Sequence, residues 1–344
     1  METALVDPIL DPEWDHLVES HSSATLFHRG CWANVLSWTY GHTPLYLRFC
    51  DGGSVVGLLP MMEVRSAFTG RRGVCLPFTD ICEPLFFGEC GSEFVADILM
   101  KLATERRWDH FEVRHGNIAP ASPDGVATFR GHRLDLSGGL DAVFARFDSS
   151  VRQAIRKAAR LGVSSSILQT EEAVLQFYRL HVQTRKRHGV PPQPLSFFLK
   201  IHREIIQPGF GFVAVAVLEA RTIAANIFFS SGRNAIYKYG ASDGGSQSAR
   251  PSNLAMWAGI RRLVDMGCTT LHFGRTSLHN DGLRRFKAGW GAFEHPIEYS
   301  KFDVISGAWI GSHDRASGSY NTFFRGLPSS LNRLAGAILY PHLD

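Results

Sequence analysis

The sequence contains no uninterrupted apolar run of about eighteen residues, so it offers no ordinary membrane-spanning helix. Its six cysteines, Cys31, Cys50, Cys75, Cys82, Cys90 and Cys268, form no C-x-x-C pair, and a chain of this size needs no disulfide framework to hold a core. The fifteen histidines include no H-E-x-x-H or other tight ligand spacing, so no resident metal is expected. Excess charge is also lacking: 36 basic and 32 acidic residues leave +4, too little for a nucleoprotein coat but compatible with a local basic patch facing an anionic partner. The opening M-E-T-A-L-V-D-P-I-L is acidic and lacks the basic-then-apolar order of a secretory signal, so the expected location is cytoplasmic. Neither an internal repeat nor a heptad array is visible, and glycine and proline are scattered rather than periodic.

What is present is a chain of 344 residues, 44% hydrophobic, enough for about two domains with real cores. The first 148 residues read as mixed α/β. Helices are expected near Trp14 to Ser20, Gly30 to Tyr40 and Ser92 to Arg107, and P-L-Y-L-R-F-C and S-V-V-G-L-L-P-M-M-E-V form a hairpin about Asp51-Gly52-Gly53. The domain boundary is placed at 148/149, before S-S-V-R-Q-A-I-R-K-A-A-R-L-G-V. Ser150 and Gln153 have capping-box spacing, Gly162 stands where a helix ends, and Val151, Ala154, Ile155, Ala158 and Leu161 form an apolar stripe. The other side carries Arg152, Arg156, Lys157 and Arg160 with no acid among them. Such a stripe can grip phosphates or simply solvate the helix.

A long helix is expected from Thr170 to His188, closed by Gly189 and V-P-P-Q-P, with Tyr178, His181 and Arg185 on one face. S-F-F-L-K-I-H-R-E-I-I reads as a further helix. Then F-V-A-V-A-V-L-E-A, I-A-A-N-I-F-F-S-S and N-A-I-Y-K-Y-G-A-S read as an antiparallel meander, followed by D-G-G-S-Q-S-A-R-P-S-N, a helix from Asn253 and the strand T-T-L-H-F-G. Gly244, Gly245 and Asn253 lie in that loop, at the positive end of the helix, where backbone N–H groups can meet an anion. There is no P-loop lysine and no G-x-G-x-x-G spacing. The connection after T-T-L-H-F-G, from Arg275 to Gly291, packs cations, glycines and aromatics at a strand's carboxyl end, a place where ligands commonly bind; its other reading is a solvated surface turn. Pro328 to Tyr340 has the pattern of a short amphipathic helix expected to dock on the body of the protein rather than on a membrane.

The ordered segments R-Q-A-I-R-K-A-A-R-L-G-V, H-V-Q-T-R-K-R-H-G-V-P-P-Q-P, Y-K-Y-G-A-S with P-S-N-L-A-M-W, F-G-R-T and G-L-R-R-F-K-A-G-W-G, with T-L-F-H-R-G-C-W, G-L-L-P-M-M and L-P-F-T-D upstream, resemble the FemAB family of the GNAT acyltransferase superfamily. The nearest flavour is the branch associated with exopolysaccharide and exosortase clusters. The resemblance implies an α/β (α+β) fold of two tandem GNAT-like domains, 1–148 and 149–344, with mixed twisted sheets flanked by helices. It implies transfer of an acyl or aminoacyl group from an ester or thioester donor to an amine or hydroxyl of a cell-envelope or polysaccharide precursor. Lys287 then matches the family's F-K lysine at the reacting carbonyl, Arg275 its adjoining G-R signature and Arg185 an arginine near the acceptor's anionic part, with Tyr178 and Tyr239 as cleft residues.

Two departures bear on the donor. D-G-G-S-Q-S-A-R-P-S-N replaces the R/Q-x-x-G-x-G/A run of enzymes that bind acetyl-CoA, and the long charged helical hairpin of some tRNA-using relatives is missing. No tightly bound cofactor is expected; acyl-CoA or aminoacyl-tRNA is the donor substrate. The partners are that anionic donor and the precursor, without DNA and with at most peripheral membrane contact. The alternatives are an acetyl-CoA-dependent N-acyltransferase and, in a different class, a non-catalytic RNA-binding protein using Arg152, Arg156, Lys157 and Arg160.

Overall fold

The structure is a computed structural model that describes residues 1–88, 91–116, 118, 126–311 and 320–344; Cys90 lies outside them. Two compact units emerge: Met1–Arg130 with Pro296–Arg315 and Leu339–Asp344, and Gly131–His295 with Ala316–Ile338. The division thus falls at 130/131 rather than 148/149, and the chain's end returns to the first unit. The reason is that the chain passes between units inside regular strands, Val126–Asp135 and Phe293–Asp303, where no Pro- or Gly-rich linker marks a change.

In the first unit, Tyr46–Asp51 and Ser54–Leu59 pair antiparallel across Gly52 and Gly53, both at positive φ, as the D-G-G turn dictates. Helices Trp14–Ser20, Gly30–Tyr40 and Ser92–Arg106 form where the pattern placed them. Trp14, Trp32, Phe49 and Phe111 are wholly buried.

The strands of the second unit, β1 and β7 only in part, are β1 (Val126–Asp135), β2 (Ser164–Leu168), β3 (Gly211–Leu218), β4 (Arg221–Ser231), β5 (Asn234–Ser242), β6 (Thr270–Thr276) and β7 (Phe293–Asp303). The helices are α1 (Gly139–Ala145), α2 (Ser149–Arg160), α3 (Glu171–His188), α4 (Leu195–Ile201), α5 (Pro251–Asp265) and α6 (Asp281–Ala288). Sheet order is β2-β3-β4-β5-β6-β1, antiparallel through β5 and parallel between β5 and β6. The parallel pair registers only over Asn234–Ile236 against Thr270–His272, so the two strands part toward their carboxyl ends. The register steps from Ile227 opposite Tyr239 to Phe228 opposite Tyr237, so Lys238 is the extra residue of a bulge in β5 beside this opening.

Side chains of β3 alternate between the two faces. Phe212, Ala214 and Ala216 join a cluster with Leu254, Ala255 and Ile260 of α5 and Val151 and Ile155 of α2, while Val213 and Val215 are buried on the opposite side, where α3 packs. Helix α5 rides close to β4: a Cβ on Gly259 would lie 2.2 Å from the Phe228 ring. The capping of α3 follows the sequence, since Thr170 Oγ1 accepts from Ala173 N at 3.3 Å and Gly189 ends the helix at φ 69°.

Three local expectations change. Asp148, not Ser150, stands at the N-cap of α2, and Ser150 is already helical. The S-F-F-L-K-I-H-R-E-I-I helix passes from α-helix to a π-turn at His202–Ile206. The connection after β6 is no surface turn, because α6 forms within it, its N-terminus capped by Asn280, whose side chain accepts from Leu283 N at 3.1 Å.

Candidate functional site

The carboxyl ends of β5 and β6 lead into the two segments singled out for their chemistry. Beyond β5, the loop reaches α5 through Arg250, which adopts φ 56°, a left-handed conformation disfavoured for a side-chain-bearing residue. Against the first turn of α5 lies a cavity of about 700 Å³, lined by Arg156, Lys157 and Arg160 of α2, by Arg250 and Asn253, and by Phe286 of α6, with no acidic residue in its wall. The cavity gathers four cations from two elements around a helix N-terminus, where unpaired N–H groups and the helix dipole both favour negative charge.

Not every member of the basic stripe belongs to it. Arg152 turns back to donate to the Ala145 carbonyl at 3.0 Å and to the Phe147 carbonyl, so it caps the end of α1 instead of facing the cavity. Gly244 and Gly245 are also elsewhere. The Gly245 N–H and the Ser246 hydroxyl donate to the Asp243 carboxylate, at 3.2 and 2.7 Å, and a Cβ on Gly244 would meet Arg187 of α3. Asp243 therefore takes the donors that an anion would need. Those hydrogen bonds, first that of Ser246, hold its carboxyl below the usual range, so it stays charged. It borders a separate cavity of about 330 Å³ with Gln176, Arg179 and Thr222. The polar groups that line the cavity near α5 are thus Asn253 and the side chains of Arg156, Lys157, Arg160 and Arg250. Arg250 was missed by sequence reasoning, and its only signal was an Arg-Pro step at a helix start.

Lys287 follows Phe286, the cavity-lining residue, but points inward. It is buried, and its ammonium donates to the carbonyls of Gly274 and Arg275 at 2.8 and 3.1 Å. The lysine fastens α6 to the end of β6 and brings its amino group into a low-dielectric interior, where charge acts over a longer range than in water. Arg275 offers its backbone to Lys287 while its side chain is exposed. Beside this charge, sequence reasoning missed His132 of β1, whose Nε2 lies 3.3 Å from Glu294 of β7. Glu294 is held in turn by Arg284 at 2.9 and 3.0 Å. Burial, reinforced by the Lys287 ammonium, lowers His132 to about 4, so it is a neutral imidazole near pH 7. No signal other than a lone histidine in a strand marked it.

Tyr178, Arg185 and Tyr239 come together on the opposite face of the sheet. The Tyr239 ring lies 6.3 Å from His181 and 5.4 Å from Phe198, which is 5.8 Å from Tyr178. Tyr178 is buried under Arg333, and burial raises its pKa. Arg185 donates to the Pro191 carbonyl at 3.3 Å, steadying the proline segment. His181 hydrogen-bonds Gln193 at 2.8 Å and is driven to about 3, mainly by burial. Among the described residues, no group of three or more His, Cys, Asp or Glu side chains is arranged to hold a metal ion.

Comparison with known proteins agrees with this architecture. Residues 145–294, which span α2 through α6, match the family described as acetyltransferase (GNAT) domain. Among solved structures, FemX superposes with a TM-score of 0.67 at 15% identity, covering 87% of this chain and 97% of that one. The L-PGS structure from Bacillus licheniformis gives 0.54 at 13% identity over 95% and 97%. A tandem GNAT protein from the clavulanic acid biosynthesis pathway gives 0.50 at 10% identity over 88% and 98%. Search of curated proteins by sequence finds no match. The chain therefore has a mixed α/β, tandem GNAT-like fold of the kind seen in FemX, and its residues 145–294 match the acetyltransferase (GNAT) domain family.

Proposed function

We propose that the protein is an acyltransferase that takes an acyl or aminoacyl group from an anionic activated donor and delivers it to an amine or hydroxyl of a cell-envelope or polysaccharide precursor. The observation that carries this reading is the acid-free cavity at the N-terminus of α5, whose Arg156, Lys157, Arg160 and Arg250 match the phosphates that CoA and tRNA share. One wall residue, Phe286, adjoins Lys287, which links the donor cavity to the buried charge at the end of β6.

In this reading the donor's phosphates rest in the cavity and its carbonyl reaches the opening between β5 and β6. The acceptor's nitrogen or oxygen adds to that carbonyl, its proton leaves, and the donor's thiol or ribose hydroxyl departs protonated. Lys287 favours the tetrahedral oxyanion by holding the Gly274–Arg275 backbone in place and by its unscreened charge. Neutral His132 beside the lysine adds no second positive charge, and Glu294 is already neutralised by Arg284. Tyr178, Arg185 and Tyr239 serve the acceptor side. No covalent intermediate on a serine or cysteine is needed.

The test is a mass-spectrometric screen of acyl-CoA and aminoacyl-tRNA donors against envelope and polysaccharide precursors. Consumption of one donor class with transfer to a precursor supports the proposal and decides between CoA and tRNA. Salt-sensitive RNA binding with no donor consumed replaces it with the non-catalytic RNA-binding reading.

A further inference from the structure

The C-terminal helix Ser329–Leu339 packs on the second unit through its small, polar side. Asn332 is wholly buried, and a Cβ on Gly336 would lie 1.9 Å from the Pro192 carbonyl oxygen. Arg333, next to Asn332, lies 5.7 Å over the Tyr178 ring. Leu331, Leu334 and Ile338, at i, i+3 and i+7, form a stripe away from that side and are 50%, 56% and 54% exposed. The preceding helix, Tyr320–Gly326, leaves Phe323 63% exposed. A helix docked on a protein in water ordinarily buries its apolar stripe and shows its polar one. Here the arrangement is reversed: the expected docking on the body exists, but it uses Asn332 and Gly336 and leaves the leucines and isoleucine outside.

Charge identifies what this face is suited to meet. From Tyr320 to Ile338 the chain carries Arg325 and Arg333 and no acidic residue. Helix Tyr320–Gly326 packs on α3, whose last turn brings Arg185, Lys186, Arg187 and His188. Arg325 is close enough to join burial, Arg187 and Arg185 in lowering the His188 pKa. No helix among the described residues is long and apolar enough to cross a membrane.

We propose that this segment docks the protein on an anionic lipid bilayer, with Leu331, Leu334, Ile338 and Phe323 entering the headgroup boundary and the flanking cations meeting lipid phosphates. Such attachment is independent of which donor the cavity takes. It would place the protein where lipid-linked acceptors are presented.

The experiment is flotation of the full chain with vesicles of phosphatidylcholine alone or with roughly 30 mol% phosphatidylglycerol. The parent is expected to float with the anionic vesicles and to release as salt rises. Leu331→Gln/Leu334→Gln/Ile338→Gln should weaken that binding by at least about tenfold. Its melting temperature should be unchanged, because all three side chains face outward. Failure of the parent to bind anionic vesicles overturns the proposal, as does equal binding by parent and variant. A parent dimer that the triple substitution converts to monomer, with no vesicle binding by either, also overturns it and assigns the face to a second copy of the chain.

Discussion

At the residue scale, the sharpest expectation concerns Lys287. Its motif marked it for the reacting carbonyl, and the structure adds that it is a buried clamp on Gly274 and Arg275. Lys287→Met, which keeps most of the stem and removes the charge, should lower turnover by about 10² to 10³. It should also cost about 1 to 3 kcal/mol of stability, because two interior carbonyls lose their donor. Steady-state kinetics with a parallel melt checks both; turnover within about threefold of the parent would sink the catalytic role. Arg250 makes the opposite kind of test. Its left-handed backbone is strained, so Arg250→Gly should hold or raise the melting temperature while weakening donor binding. A Michaelis constant for the donor that does not move would remove Arg250 from the site. Arg152 shows why single residues resist sequence reading: it shares a helix and a charge with Arg156, yet the carbonyl ends of α1, which local sequence does not place, draw it away.

At the element scale, helix ends were legible where the capping chemistry is local. Thr170 and Gly189 bound α3 as read, and the meander β3 to β5 followed from its three apolar runs and short turns. Helix α6 was hidden because Gly282 and the Asn280-Asp281 step read as a turn, although Asn280 in fact caps a helix. The Asp243–Asn253 loop misled differently, since composition shows the glycines but not that Asp243 takes the Gly245 N–H and the Ser246 hydroxyl. The orientation of the C-terminal helix lay beyond its pattern as well, because which stripe packs depends on the Pro192 carbonyl far away in sequence. Helix α5 carries the donor end of the site, and its height above the sheet is set at Gly259. Gly259→Ala drives a methyl into the buried Phe228 ring and should cost about 1 to 3 kcal/mol. It should also raise the donor's Michaelis constant by lifting the helix; a thermal melt and donor titration read the two effects separately, and a variant as stable as the parent would contradict the close packing.

At the scale of the whole molecule, four histidines among the described residues are buried in the neutral form. Burial is the leading cause in each, lowering His28, His42 and His132 to about 4 and His181 to about 3. Between the usual 6.5 and those values the unfolded chain binds more protons than the folded one, so stability rises with pH and is lost as pH falls through this window. The melting temperature should therefore drop between pH 7 and pH 4.5; a flat or rising profile would mean that these rings charge freely in the folded state. The tandem architecture was legible because motif order carries it along the chain. The boundary was not, since strands rather than linkers run from one unit to the other.

The central claim is that the cavity formed by α2, α6 and the start of α5 holds an anionic donor. Calorimetric titration with coenzyme A and, separately, with a non-hydrolysable aminoacyl-tRNA analogue tests it most directly, comparing the parent with Arg156→Gln/Lys157→Gln/Arg160→Gln. The account expects one ligand to bind the parent with affinity that falls as salt rises, and the triple variant to bind at least about tenfold more weakly with its melting temperature preserved. Equal affinity for parent and variant, or no binding of either ligand, would contradict it.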